Sequence, residues 1–88
     1  MAKYRKKPIE IEAVQFLGFD VNGEECERFL GNSFETHLPN RNEIVVRTVH
    51  GEEAVIRVGD WIIPDGKPGT FYPCKPDIFV ATYEPVQR

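Results

Sequence analysis

Few side chains in this 88-residue chain are of a type that does chemistry. Cys26, His37, His50 and Cys74 are its whole stock of soft metal ligands, and no two of them lie within five residues of each other. Zinc sites are usually assembled from closely spaced pairs, so neither a metal site nor a cofactor is expected. Nucleophilic catalysis needs a thiol or hydroxyl poised by a base or a neighbouring cation. Ser33 sits in no nucleophile elbow, and Cys74, between Pro73 and Lys75, is the only thiol with a cation beside it. A small core filler next to a constrained turn is the simpler reading of Cys74. The carboxylates are spaced for solvent, and Gly66 and Gly69 are interleaved with prolines as in a turn, not a phosphate cradle. One binding constellation is left: Trp61, Phe71 and Tyr72 on adjacent strands with Lys67 and Lys75 beside them, a pattern suited to base stacking. In a chain this short such rings more often fill the core.

The elements that position these groups are set mainly by the last third of the chain. Gly59-Asp60 re-aims the backbone into Trp61-Ile62-Ile63, the turn-rich loop 64–69 follows, and Thr70-Phe71-Tyr72 returns as the partner strand. Asp60 is expected to lock its corner as an Asx-type turn, its carboxylate accepting backbone N–H bonds. Pro76 suits the first position of a short helix on which Phe79 and Tyr83 lie one turn apart and form a plug. Glu84-Pro85-Val86 leaves as an extended end.

Upstream, one register of the hairpin from Glu43 to Val58 satisfies charge, apolar pattern and turn chemistry together. It takes Val49-His50-Gly51 as the loop, with Gly51 left-handed, and sets Ile44 against Ile56, Val45 against Val55, Val46 against Ala54, Arg47 against Glu53, and Glu43 against Arg57. A short helix is predicted after Gly18–Val21. Asn22 is its cap toward Glu25, Val21 and Cys26 form a staple, Cys26, Phe29 and Leu30 make the buried stripe, and Gly31 is the stop. From Pro8 to Phe16 the alternation reads as a strand that changes phase near Ala13-Val14, and Ser33–Leu38 as a short extended piece. The sum is an α+β fold: a small antiparallel, partly closed sheet or barrel, with one short helix in the N-terminal third and a helical turn near the C-terminus.

Eighty-eight residues, 41% hydrophobic and 28% charged, make one domain spanning 1–88, with 1–7 expected as a flexible basic start. Two cysteines are too few for a disulfide scaffold and read as reduced thiols. The basic residues Lys3, Arg5, Lys6 and Lys7 are not followed by the apolar stretch of a secretory signal, so the expected location is the cytoplasm. A net charge of −3 argues against a dedicated nucleic-acid binder.

Two stretches carry a resemblance. Tyr4-Arg5-Lys6-Lys7-Pro8 with Ile11-Glu12-Ala13-Val14-Gln15-Phe16, and Val58-Gly59-Asp60-Trp61-Ile62 with Phe71-Tyr72-Pro73-Cys74-Lys75-Pro76-Asp77-Ile78-Phe79 and Thr82-Tyr83-Glu84-Pro85-Val86, resemble a group of short proteins of tailed bacteriophages and prophages. Gly59-Asp60-Trp61 is also similar to the core of a small family named for a Pro-Gly-Asp-Tyr-Gly motif. The chain departs from that motif at Val58, Trp61 and Ile62. The resemblance covers about half of the chain and implies a phage or prophage origin, with no activity and no catalytic residues to carry over. The expectation is a non-enzymatic accessory protein that binds a host protein or a small ligand, as a monomer or small homo-oligomer. A nucleic-acid or nucleotide binder built on Trp61, Lys67, Tyr72 and Lys75 and a minor virion or assembly protein are the alternatives. Gly51, Gly59, Asp60, Asn22, Pro76, Phe79 and Tyr83 are assigned structural roles.

Overall fold

A computed structural model describes residues 1–4, 10–35 and 42–86. In chain order these form β1 (Val14–Gln15), α1 (Phe19–Leu30), a 3-10 turn (Gly31–Ser33), β2 (Ile44–Arg47), β3 (Glu53–Ile56), β4 (Trp61–Pro64), β5 (Phe71–Cys74) and α2 (Pro76–Thr82). The strands make two antiparallel sheets, β1-β4-β5 and β2-β3, so the fold is α+β.

The β2–β3 hairpin has the register that its sequence favours. Ile44 faces Ile56, Val45 faces Val55, Val46 faces Ala54 and Arg47 faces Glu53. Arg57 meets Glu43 at 3.3 Å. The loop closes through Thr48 N–H to Glu52 C=O and Gly51 N–H to Thr48 C=O, with Gly51 at a φ of 86°. A side chain at that φ is strained, which is why the loop needs glycine there.

The partial barrel expected from the sequence is not formed, because among the described residues the two sheets share no ladder. The hydrogen-bond phase supplies a physical reason. Asp65 N–H bonds to Thr70 C=O, which makes Ile63–Tyr72 and Trp61–Cys74 the bonded pairs and points the nitrogen of Pro73 away from β4. Proline has no N–H, so the outer edge of β5 lacks a donor where a neighbouring strand would need one. By the same phase, Glu53, Val55 and Arg57 point away from β2, and the Arg57 N–H is already given to the Asp60 carboxylate. Neither edge offers the continuous row of donors that closure requires.

Side-chain alternation gives the β4–β5 ribbon two covered faces. Ile62 and Phe71 look into the main core with Phe16, Cys26, Leu30, Ile44, Val46 and Ile56. Trp61, Ile63, Tyr72 and Cys74 lie on the opposite face, toward α2. β5 packs across both β2 and β3.

Three local expectations change. The first strand is shorter than its alternation suggests: pairing starts at Val14, and Ile11 is exposed. Phe16 prolongs the strand by bonding its N–H to Asp60 C=O and accepting from Gly59 N–H. A first turn from Phe19 precedes Asn22, which is itself non-helical at a φ of −143° and kinks the element, so the regular helix begins beyond Asn22 as expected, with an additional turn before it. Asn22 does not accept from Glu25 N–H. Its Oδ1 takes the Leu17 N–H at 2.9 Å, while its Nδ2 donates to Gln15 C=O at 2.7 Å and to the Glu25 carboxylate at 3.1 Å. The first turn is held instead by Asn42, whose Oδ1 accepts the Phe19 N–H. Val21, expected to staple against Cys26, is exposed, since the chain approaches the helix through Gly18 and leaves Val21 outside.

The expected stripe of Cys26, Phe29 and Leu30 does face the core, and Gly31 ends the helix at a positive φ. Glu35 bridges to Val45. The basic residues Arg5 to Lys7, the strand start at Pro8-Ile9, His37, and the stretch from Thr36 through the Pro39-Asn40-Arg41 loop lie outside the described residues. No helix of the described residues is long and apolar enough to cross a membrane.

Candidate functional site

Asp60 is the only buried charged side chain reported among the described residues, at 2% exposure. It sits at the corner between β3 and β4. Gly59, at a φ of 97°, turns the chain so that the Asp60 N–H bonds to Arg57 C=O. Its Oδ2 accepts the Arg57 N–H at 3.0 Å and its Oδ1 meets the Lys75 ammonium at 3.2 Å. The carboxylate therefore reaches back three residues instead of forward as in the expected Asx-type turn. It also ties the start of β4 to the start of α2, a partner 15 residues away that local turn chemistry does not reveal.

Above this corner four aromatic rings form a chain of contacts. Trp61 stacks on Phe79 with centroids 3.9 Å apart and planes within 5°, and Phe79 stacks on Tyr83 at 5.0 Å. The Tyr83 and Tyr72 hydroxyls hydrogen-bond to each other at 3.1 Å. Pro76 occupies the first turn of α2, where a missing N–H costs nothing, and the Lys75 C=O receives the Phe79 N–H.

Burial, with smaller contributions from the Tyr83 hydrogen bond and nearby negative charge, pushes the Tyr72 phenol above its ordinary range. Burial also raises the Cys74 thiol, with the charges of Asp60 and Asp77 adding to it. Lys75, the cation beside Cys74 in the sequence, is paired with Asp60. Cys26, in the main core, is pushed up to about 11 by burial and then by Glu25.

The four candidate binding residues do not converge. Trp61, Tyr72 and Lys75 belong to the α2 side of the β4–β5 ribbon, with one face of Trp61 covered by Phe79. Lys67 lies in the loop at the other end of the same ribbon, beyond the four-residue strand β4 from Trp61 and so roughly 13 Å from it along the strand, with Tyr72 between the two ends. That loop is pinned by Val49 N–H to the Asp65 carboxylate at 2.9 Å and by the Ser33 hydroxyl to Gly69 C=O at 2.8 Å. It borders an open depression of about 470 Å³ with Phe29, Phe71 and Glu12. A second depression, of about 400 Å³, runs along the first turns of α1 from Phe19 to Arg28. Among the described residues no three His, Cys, Asp or Glu side chains gather as a metal set.

Comparison with protein-family models, with curated proteins and with solved structures finds no match to this chain.

Proposed function

We propose that this chain is a non-enzymatic accessory protein of a bacteriophage or prophage, a small β-rich binding module that acts on a host protein in the bacterial cytoplasm. One observation carries the non-enzymatic part. The carboxylate best placed for acid–base work, Asp60, is held at 2% exposure between a backbone N–H and the Lys75 ammonium. A general acid or base must be free to reach its substrate, and these bonds occupy both of its oxygens. Cys74 points the same way, because a thiol raised by burial is a poor nucleophile at neutral pH.

A protein partner fits the surface better than a small ligand does. Small-molecule sites are concave and bury most of their ligand, whereas both depressions here are open. Ile78, Val80 and Val58 are apolar and more than half exposed around α2. The phage origin rests on the sequence resemblance of the two end stretches.

Capture from bacterial lysate with the tagged full chain, followed by mass spectrometry, is expected to return one host protein. Ile78→Asp with Val80→Asp should abolish that capture while leaving the circular dichroism spectrum unchanged. Turnover of any substrate that is lost in Asp60→Asn or Cys74→Ser, with the fold intact, would overturn the reading. A Trp61 emission change on adding oligonucleotide at low salt would favour the nucleic-acid alternative, and recovery of the chain in purified particles the virion one.

A further inference from the structure

Every residue of α2 is exposed except Phe79, which is half-buried. Among the described residues its attachment to the rest of the chain runs through a few contacts. These are the Trp61–Phe79 stack, the Tyr72–Tyr83 hydroxyl bond and the Lys75–Asp60 pair at its base. Trp61, Tyr72 and Cys74 are the residues it meets, on the face of the β4–β5 ribbon opposite the main core. Cys74 is close enough to the first turn of α2 to feel the charge of Asp77. The connection through Lys75 and Pro76 contributes no strand pairing. Segments with few buried apolar contacts open at lower free energy than the global unfolding.

We infer that α2 with Tyr83 is a hinged cover that opens as a unit about Lys75–Pro76 while the main core stays closed, uncovering an aromatic face made of Trp61 and Tyr72. The inference does not depend on the proposed function. The two cysteines report on it from opposite sides of the ribbon. Cys74 lies under the cover, and Cys26 is fully buried against Leu30 and Phe16 in the main core.

The test is alkylation of the native full chain by iodoacetamide, resolved by mass spectrometry of each cysteine peptide. Each rate is divided by the rate of the same cysteine in denaturant, which removes their different intrinsic reactivities. Cys74 is expected to be alkylated at least about tenfold faster than Cys26 on this scale. Phe79→Ala should speed Cys74 about tenfold further, the equivalent of losing one aromatic pair. Tyr83→Phe, which removes only the hydroxyl bond, should speed it several-fold, and in both variants Cys74 should remain the faster thiol, since weakening the closed state also raises the global opening that exposes Cys26. Equal protection of the two thiols, which would mean that α2 leaves only when the whole chain unfolds, or a Cys74 rate indifferent to both substitutions, which would mean that α2 does not cover Cys74, overturns the inference. Should Phe79→Ala fail to fold, the wild-type ratio and Tyr83→Phe decide alone.

Discussion

Asp60 and Lys75 form one ion pair but are unequal partners in it. The carboxylate is buried at 3% side-chain exposure, whereas the lysine side chain is 58% exposed. Removing the lysine leaves a carboxylate that still accepts the Arg57 N–H and that water can approach from the lysine's side. Removing the carboxylate leaves a backbone N–H without its acceptor at a corner where Gly59 and Phe16 are also bonded. Lys75→Met is therefore expected to cost less than about 1 kcal/mol. Asp60→Ala is expected to cost about 2 kcal/mol, with Asp60→Asn between them. Urea titration of the three variants measures the order, and a Lys75→Met loss equal to that of Asp60→Ala would contradict it.

At the scale of elements, the hairpin and the helix respond to different kinds of change. An added Cβ at Gly51 meets nothing within 4 Å, so Gly51→Ala isolates the backbone strain of its positive φ. The expected loss is about 1 to 2 kcal/mol with the hairpin register unchanged, measured by thermal unfolding and cross-strand nuclear Overhauser effects. Asn22 acts over a longer path, joining Gln15, Leu17 and Glu25. Asn22→Ala should destabilise by about 1 to 2 kcal/mol, and the most affected amide in hydrogen exchange should be that of Leu17. Protection lost first at Glu25 would instead favour the local cap toward Glu25 that the sequence suggests. The hairpin was legible because its pairing is local and one register satisfies every criterion at once. The strand before α1 was not, since its partner β4 begins only at Trp61, far downstream, and Ile11 alternates correctly without having a strand neighbour among the described residues.

For the whole molecule, the fold holds three acids neutral, Cys26, Tyr72 and Cys74, and this sets an alkaline limit. Cys26 rises from 9.0 to about 11, and Tyr72 rises above its ordinary 10.0. A folded value above the unfolded one means that the stabilisation is complete below the unfolded pKa and is lost as pH rises toward the folded value. Stability is therefore expected to be flat up to about pH 9 and to fall between about pH 9 and pH 11. Cys26→Ala, though less stable at neutral pH, should show a shallower decline. A urea midpoint unchanged between about pH 8 and about pH 10.5 would remove the prediction. The blunted edges act at the same scale. With Pro73 on β5 and Asp60 capping the outer end of β3, neither of these two edges offers strand addition between copies a continuous template.

What the sequence determined by itself is whatever depends on neighbours along the chain: the α+β class, the hairpin register, the stripe of α1, the start of α2 at Pro76 and the plug residues Phe79 and Tyr83. Only the tertiary structure decided that the sheets stay separate, that Asn42 caps α1, that Lys75 belongs to Asp60, and that Lys67 stands apart from Trp61. Each of these depends on how distant parts of the chain come to lie together or apart. Residue types restrict such partners without naming them, because the choice depends on which faces the packed sheets turn toward each other.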